Sequence, residues 1–451
     1  MGIPKKKGFS IATQSAEQRL YPQAKCFDGF EEIKSYYNQI AEFYFMLINT
    51  DPSGLSATGN DSGWRYYEIL TQGKKKSGIE AQYPLPQEFD GCPRDFRRAA
   101  IRAAIGAYES WQTRYEKWKN RPKRHKHHRP PVQPRKFNFS PVYCGNMFWD
   151  DSGLDIMLKV RVKSQWMSLK FHYKGQPVGK DWIKSSPSIV LKNGHAYITF
   201  CIQRYVPATG GIAKITKQDT FRILATDLDL DDHAAIVSIL EIDGCTIREI
   251  ARHFIKQPEG VASRKRDLGR IALKMNATGI IHKGFCHKQW EKIRNREKAM
   301  GYDVASQILN LAVGYGCQVI AFEHLANLKP CRGKYSRRSN QKRAYWLKSK
   351  IYNNVKHAAF ARHGILTTRV NPKNTSKLDP WGNPVNRQNH IPEKVVAGEE
   401  VYETGATWVK TASGYTAHSG VNASRNVGIK ALLRHRKDLE FLVDSGEAFA
   451  R

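Results

Sequence analysis

Two long stretches near the start of the chain repeat apolar residues every three or four positions. The first spans residues 30–47 and the second residues 94–120. This period predicts amphipathic helices with one buried face each. In the second stretch the other face is rich in arginine, so the same helix can pack through its aromatic side and meet phosphate through its charged side. A shorter helix is predicted at 64–72.

The middle of the chain changes to a period of two. Apolar and polar residues alternate at 154–162, 167–173, 188–193 and 195–206, with glycine or proline between the runs. Such runs are typical of short antiparallel strands. They predict a small β-barrel, whose exposed lysines and arginines suit either a folded RNA or solvent.

Beyond residue 215, apolar strands alternate with helices. Two apolar runs lead to an acid: the run that opens at Phe221 reaches Asp227, and the run 318–322 is followed directly by Glu323. This order predicts an α/β layer whose site lies at the carboxyl ends of the strands. The other elements predicted in this part are strands at 234–242, 246–255 and 365–370 and helices at 263–278, 284–314, 343–362 and 422–434.

Asp227 and Glu323 are the strongest candidates for chemistry. A carboxylate at a strand end costs free energy to desolvate unless it holds a metal ion or acts as a base. Two such acids on adjacent strands can share a divalent metal, as in two-metal phosphodiester hydrolysis. The alternative is a pair of ordinary caps or surface ion pairs. Asp229, Asp231 and Asp232 are compatible with both interpretations.

Charge identifies the class of partner. The chain has 73 Lys and Arg against 41 Asp and Glu, a formal net charge of +32. A nucleic-acid backbone is the usual counterpart of such an excess. An acidic membrane surface is the competing partner, but no apolar run approaches the ~20 residues of a spanning helix, and the N-terminus has no apolar signal core. We therefore expect a cytoplasmic protein without a membrane partner.

Two segments refine this picture. The stretch 121–136 has seven basic residues, no acid and four prolines, so it is either a solvated tether or a segment that becomes ordered on nucleic acid. The eight cysteines form no CxxC pair, and none follows Cys331. Neither a disulfide framework nor a zinc site is expected.

Several motifs, in order, resemble the TnpB family, the transposon-encoded RNA-guided nucleases from which type V CRISPR effectors derive. RILATDLDLDDHA is similar to the first RuvC motif, VIAFEHLANL to the second and SGVNASRNVGIKAL to the third. The segments 269–293 and 344–378 resemble the basic helical insertion and the approach to the target-nucleic-acid-binding finger. The resemblance covers nearly the whole chain.

The resemblance implies a multidomain α+β and α/β fold. A helical recognition lobe is inserted in a small wedge-type β-barrel, and a RuvC domain of RNase H-like fold follows. The implied boundaries are 1–25 and 136–215 for the barrel, 26–135 for the lobe with its basic linker, and 216–451 for the RuvC domain. Within that domain we expect a helical insertion at about 256–315 and a degenerate zinc-ribbon-like region at about 374–418.

The resemblance also implies partners and catalytic residues. The partners are a guide RNA, a double-stranded DNA target that pairs with the guide, and Mg²⁺ held by Asp227 and Glu323. Many members carry two CxxC pairs in the region where this chain has 375–384 and 409–420 without cysteine, so no zinc is predicted. The third RuvC motif of the family reads Asp-x-Asn-Ala, and the position two before Asn422 is Gly420. The third catalytic acid is therefore missing.

We expect the loss of this ligand to impair Mg²⁺ binding and to leave the RuvC centre inactive or weakened. The predicted function is RNA-guided DNA binding, as target occupancy or repression. One alternative is an active endonuclease with a rearranged acid set, and a second is a basic nucleic-acid binder without a guide. The predicted nucleic-acid contacts are basic side chains of the helices and linkers: Arg97, Arg98, Arg102, Lys123, Arg124, Lys126, Arg129, Lys274, Lys283, Lys288, Arg294, Arg337, Arg338, Lys342 and Arg343.

Overall fold

The computed structural model describes residues 3–22, 29–56, 63–73, 78–122, 129–175, 177–229, 233–279, 282, 284–331, 333–336, 339–340, 343–344, 347–388, 407–412 and 414–442. The chain forms two compact units. One consists of Met1–Pro4 and Thr13–Arg204, and the other of Lys5–Ala12 and Tyr205–Arg451. Nothing in the described residues combines the helix length and apolar character needed to cross a membrane.

The first unit combines three helices with an antiparallel sheet. The helices are α1 (Gly29–Thr50), α2 (Gly63–Gln72) and α3 (Arg94–Lys119). The strands are β1 (Phe9–Pro22), β2 (Phe148–Trp149), β3 (Asp155–Val162), β4 (Gln165–Lys174), β5 (Ile183–Lys192) and β6 (His195–Pro207), in the sheet order β2-β3-β4-β1-β6-β5. The helices and strands predicted from the two periods are confirmed.

This sheet is curved into a partial barrel. Val142, a few residues before β2, forms a bridge with Ser188 of β5, and the Tyr143 amide donates to the Pro187 carbonyl at 2.7 Å. Since β2 and β5 are the two edges of the sheet, this contact brings its edges together. The barrel predicted from the sequence is therefore present as a half-barrel, with one isolated bridge between its two sides.

Aromatic packing joins the helices of this unit to its sheet. Tyr37 of α1 contacts Phe96 of α3 edge to face at a centroid distance of 5.1 Å, and Phe96 contacts Trp166 of β4 at 5.2 Å. The Tyr44 hydroxyl is buried and lies 2.8 Å from the Thr71 hydroxyl of α2. The helical rings belong to the apolar face that the period predicted, and they are part of the core of this unit.

The second unit is built around a six-stranded mixed sheet. Its order is β11-β10-β7-β8-β9-β15. The strands are β7 (Thr220–Asp227), β8 (His233–Asp243), β9 (Thr246–Lys256), β10 (Val319–Glu323), β11 (Leu366–Val370) and β15 (Glu440–Leu442). β10 pairs in parallel with both β7 and β11, whereas β7, β8 and β9 form an antiparallel meander.

Helices cover both faces of this sheet. They are α4 (Ile212–Ile215), α5 (Gly260–Thr278), α6 (His287–Gly314), α7 (Lys348–Ala358) and α8 (Ser419–Leu433). Apolar residues of α6 and α7 share one core with one face of the sheet, and α8 shares a second core with the other face. A small sheet of β12 (Asn386–Gln388), β13 (Trp408–Lys410) and β14 (Thr416–His418) completes the described part.

The last helix starts earlier and the one before it is shorter than the sequence predicted. α8 begins at Ser419 because the Nδ1 atom of His418 accepts a hydrogen bond from the Gly420 amide at 3.2 Å and caps the first turn. α7 ends at Ala358, and a π-helical turn (Ala359–His363) carries the chain to Gly364 at φ 70°. A left-handed glycine is the usual helix stop.

Small residues let α8 lie very close to the sheet. Gly420, Ser424 and Gly428 follow at four-residue spacing and face β8. The Ser424 hydroxyl lies 2.6 Å from that of Ser238, and a Cβ added at Gly428 would lie 2.4 Å from Leu240 Cδ1. The position of α8 over the strand ends therefore depends on the absence of side-chain bulk along this face.

Candidate active site

The structure brings Asp227 and Glu323 together. Each is the last residue of its strand, and the register of the parallel β7/β10 pair places Phe322 opposite Thr226, one position before the two acids. Ala225 and Ala321, two positions earlier, both belong to the core beneath α8. Because alternate residues of a strand share a face, both carboxylates point to the side that α8 covers.

The third predicted position also lies at this edge. Gly420 is the second residue of α8, and a Cβ built on it would lie 2.1 Å from the Cδ1 atom of Ile236. Ile236 is the direct cross-strand partner of Asp227. The space that a side chain at position 420 would need is therefore filled by the isoleucine beside the first acid, and a carboxylate there requires Ile236 to move.

Three further residues surround the two acids, and the sequence did not indicate any of them. Burial raises the pKa of Glu323, whereas Thr375 and Lys430 act in the opposite direction. Burial, followed by the charges of Glu323 and Asp229, raises the pKa of Asp227 well above its ordinary value, and Arg387 opposes this shift. No sequence pattern could have found these neighbours because they come from a loop, a short strand and a helix of the last hundred residues.

The donor set suits one hard divalent cation. Burial raises the pKa of both carboxyl groups, and the charge of Glu323 raises that of Asp227 further. A dication bound between them would offset this repulsion. Mg²⁺ is commonly held by one or two carboxylates together with waters and phosphate oxygens. Among the described residues there is no group of three His, Cys, Asp or Glu side chains able to hold a metal ion. Asp231 and Asp232 lie outside these residues.

The raised pKa of Asp227 makes stability depend on pH. As pH rises above about 4, the carboxyl group ionises in the unfolded chain before it does so in the folded one, so the free energy of unfolding falls. We expect Asp227→Asn to be more stable than the parent at pH 7 without divalent ions, because asparagine has no charge to desolvate beside Glu323. Urea unfolding at pH 4 and pH 7 measures this.

The exposed Asp219 at the start of β7 provides the control for this measurement. Asp219→Asn should alter stability little and equally at both pH values. Millimolar Mg²⁺ should stabilise the parent and leave Asp227→Asn unaffected, because a ligand stabilises only the state that binds it. An advantage of Asp227→Asn that is the same at pH 4 and pH 7 would contradict the assignment of a raised pKa.

The loop 371–385 carries Thr375 to the acids, and α8 holds it in place. The buried Asn422 side chain donates from Nδ2 to the Leu378 carbonyl at 2.8 Å. Asn426 donates to the same carbonyl at 2.7 Å and to the Thr375 carbonyl at 2.9 Å. The asparagines of the third motif thus have a structural task, because they satisfy buried carbonyls of the loop beside Glu323.

Asp379 organises the turn of this loop. It is 2% exposed. Its Oδ1 atom accepts from the amides of Trp381 at 3.0 Å and Asn383 at 2.8 Å, and Oδ2 accepts from Asn383 Nδ2 at 2.9 Å. Gly382 supplies the left-handed backbone, at φ 94°. A carboxylate that accepts several hydrogen bonds holds this turn closed.

We expect Asp379→Ala to lower the free energy of unfolding by about 2 kcal/mol, because two backbone amides and an amide side chain lose their buried acceptor. Lys377→Ala, an exposed change in the same loop, is the matched control and should cost less than about 0.5 kcal/mol. Chemical denaturation of both variants decides this. Equal stabilities of the two variants would show that the carboxylate does not hold the turn.

Comparisons with known proteins were made for the whole chain. A family model described as the Aq_aa04 family matches residues 14–162. No curated protein matches the chain. Among solved structures, the Cas12f1–sgRNA–target DNA complex has a TM-score of 0.50 at 14% identity, over 93% of this chain and 99% of that chain. The chain has the fold of this effector.

Two other type V effectors are similar over most of this chain. The mini RNA-guided endonuclease CRISPR-Cas_phi3 matches with a TM-score of 0.43 at 11% identity, over 93% of this chain and 92% of that chain. C2c1 of Alicyclobacillus acidoterrestris with its single-guide RNA matches with a TM-score of 0.43 at 10% identity, over 90% of this chain and 68% of that chain. The mixed α/β multidomain fold predicted from the motifs is confirmed through Cas12f1.

The predicted nucleic-acid contacts on α3 are engaged within the first unit. Arg97 pairs with Glu68 at 3.3 Å, and Arg98 binds both oxygens of Glu68 at 2.7 and 2.9 Å. Arg98 and Arg102 each lie 4.8 Å from the Trp64 ring. Arg102 keeps an exposed side chain. Of these three arginines, Arg102 is therefore the one that can reach a phosphate without breaking an ion pair with Glu68.

Some of the remaining predicted contacts are exposed side chains of the described residues, and the others lie outside those residues. Lys274 of α5 and Lys288 and Arg294 of α6 are exposed, as is Arg129. Arg343 lies 4.0 Å from the Tyr335 ring. These side chains remain predictions as nucleic-acid contacts. The predicted contacts that lie outside the described residues are Lys123, Arg124, Lys126, Lys283, Arg337, Arg338 and Lys342.

Proposed function

We propose that this protein binds DNA under the direction of a guide RNA and that its nuclease centre is inactive or weakened. The proposal rests on the arrangement at one edge of the mixed sheet. Asp227 and Glu323 lie there on adjacent strands, the third position is Gly420, and Ile236 fills the space that a side chain at Gly420 would need. The fold supports the guided part, since the similar Cas12f1 structure is a complex with sgRNA and target DNA. The formal charge of +32 supports a polyanionic partner.

In this proposal, residues 216–451 form a RuvC domain of RNase H-like fold, with the helical insertion at about 256–315 and a metal-free counterpart of the zinc ribbon at about 374–418. Residues 26–135 form the recognition lobe, and 1–25 with 136–215 form the wedge-type barrel. The protein acts in the cytoplasm as a TnpB-type targeting module or repressor, encoded by a transposon or beside a CRISPR array.

The chain's residues divide the chemistry as follows. Asp227 and Glu323 would hold a Mg²⁺ ion, which when bound polarises a phosphodiester oxygen. Thr375 and Lys430 beside Glu323, and Arg387 beside Asp227, temper the negative charge of the pair. With Gly420 at the third position, no carboxylate of α8 is available to place a second ion or the attacking water. The protein can therefore bind a DNA strand at this site without cleaving it.

The test uses the full chain purified with its own RNA. Sequencing of that RNA defines the guide, and a duplex that matches it is incubated with the complex and Mg²⁺. We expect binding of the matched duplex in a mobility-shift assay, no binding of a duplex mismatched along the guide, and little cleavage on a denaturing gel. Efficient double-strand cleavage would overturn the inactive centre, and the absence of a discrete RNA would favour an unguided binder.

The alternative of an active nuclease with a rearranged acid set rests on Asp229, which lies close enough to Asp227 to affect its pKa. If cleavage is detected, Asp227→Ala and Glu323→Ala should each abolish it while leaving binding intact. Cleavage that survives both changes would remove these acids from the catalytic set.

A further inference from the structure

Four aromatic side chains of the second unit form a group that we call the ring cluster: His233, Phe254, Trp408 and His418. The Phe254 ring lies 5.2 Å from both histidines, and His418 lies 6.1 Å from Trp408. The two histidine rings are 6.2 Å apart. The contacts near right angles, at 89° for Phe254–His418 and 74° for Trp408–His418, are edge-to-face rather than stacked.

The ring cluster stands at the same edge of the sheet as the two acids. His233 opens β8, three positions before Ile236, which pairs with Asp227. His418 caps α8 and binds the amide of Gly420. Phe254 is near the end of β9, which pairs with the start of β8. Only β8 separates Asp227 on β7 from Phe254 on β9. A polymer bound at the carboxylates would therefore lie near these rings.

One ring of the cluster is exposed, the other three are half-buried, and lysines lie on the same strands. Phe254 is 42% exposed, which is unusual for a phenylalanine with neighbours on several elements. Lys256, two positions on, is exposed on the same side of β9, and Lys410 shares the face of β13 with Trp408. Exposed aromatic rings combined with nearby positive charge form the usual site for unpaired nucleobases.

We propose that the ring cluster is a stacking site for the bases of single-stranded DNA next to the carboxylates. The inference rests on the proposed function, because guided pairing opens a duplex and releases an unpaired DNA strand. Phe254 and Trp408 supply ring faces for the bases, while Lys256 and Lys410 meet the phosphates. The site holds the strand whether or not the acids cleave it.

A set of variants at Phe254 tests the stacking. A labelled oligothymidine is titrated with the full-chain complex, and fluorescence anisotropy gives the Kd. Loss of one stacked base costs roughly 1–3 kcal/mol, so we expect Phe254→Ala to weaken binding about tenfold and Phe254→Trp to retain it. Ile250→Ala is the matched control, because Ile250 is 39% exposed on the same strand. It should bind as the parent does.

A photocrosslink locates the contact directly. An oligonucleotide carrying 5-iododeoxyuridine should crosslink to Phe254, Trp408 or a cluster histidine, as identified by mass spectrometry. The proposal is overturned if Phe254→Ala, with an unchanged melting temperature, binds as tightly as the parent, or if crosslinks fall only elsewhere. Oligouridine that binds more tightly than the DNA, and loses that affinity in Phe254→Ala, would overturn the assignment to DNA.

The experiments distinguish a failure of the ring-cluster proposal from a failure of the guided function. If the matched duplex binds through the copurified RNA and Phe254→Ala leaves oligothymidine affinity unchanged, the ring-cluster site is wrong and guided binding stands. If no discrete RNA copurifies but oligothymidine crosslinks to the cluster, the guided function is wrong and the DNA site stands.

Discussion

The double variant Gly420→Asp with Ile236→Val is expected to cleave guide-matched DNA in the presence of Mg²⁺ on the order of 100-fold faster than the parent, which is the scale of a catalytic group brought into position. Asp at position 420 adds a third carboxylate beside Asp227. Valine removes the Cδ1 atom of Ile236, which lies 2.1 Å from the required Cβ. Denaturing gels with matched target measure the rate.

Single variants separate the two contributions to this result. Gly420→Asp alone should gain less activity and lose about 1–3 kcal/mol of stability, because the new side chain overpacks the interface between α8 and β8. Ile236→Val alone should remain without cleavage. The matched control is Gly420→Asn with Ile236→Val, which has the same shape without the charge.

Two outcomes would contradict this account of the third position. One is a Gly420→Asp, Ile236→Val protein that folds, binds its RNA and target, and still does not cleave. The other is cleavage by the asparagine variant at the rate of the aspartate variant. The first would show that more than the third acid is missing, and the second that relief of packing rather than charge restores activity.

Arg425→Met lowers the free energy of unfolding by about 3–5 kcal/mol, the range for breaking a buried ion pair. Arg425 and Glu249 have side chains 4% and 3% exposed, and Arg425 Nε donates to Glu249 Oε2 at 3.0 Å. The same guanidinium donates from Nη1 to the Tyr415 hydroxyl at 3.1 Å. Its loss leaves the Glu249 carboxylate buried, with Arg252 at 3.0 Å as a remaining charged neighbour. Urea unfolding of the second unit measures the change.

A double-mutant cycle identifies the cause of that loss. Arg425→Met combined with Glu249→Leu should recover most of the stability, because no unpaired charge then remains buried. The surface comparison is Lys192→Met, whose partner is Glu17 and whose side chain is 49% exposed. It should cost less than about 1 kcal/mol. A double variant as unstable as Arg425→Met would show that packing rather than the unpaired charge dominates.

Periodicity located the helices and strands well, because a buried face repeats with the geometry of its element. It did less well at element ends, which depend on single contacts. The side-chain cap at His418 and the left-handed turn at Gly364 cannot be predicted from apolar periodicity, because neither involves a repeated apolar residue. The barrel was predicted from strand count alone, whereas its closure depends on the bridge between Val142 and Ser188.

The candidate site was partly predictable for the same reason. Asp227 and Glu323 end apolar runs, and strand ends meet at a sheet edge, so their proximity follows from the pattern. Arg387, Thr375 and Lys430 could not be predicted, since nothing in their local sequence distinguishes them from surface residues. The partners of the α3 arginines could not be predicted either. Their spacing indicated a basic face, and the structure adds that Arg97 and Arg98 on that face are paired with Glu68.

The sequence by itself predicted the elements, a polyanionic partner and two strand-end acids from composition and local order, and its resemblance to the TnpB family added a third acid position occupied by Gly420. Only the tertiary structure showed whether there is room for a side chain at position 420. α8 packs against β8 through small residues, and Ile236, distant in sequence, fills the volume beside Asp227. Whether a carboxylate can be placed at position 420 is a question of packing between elements, and close-packed interiors make such volume a property of the fold.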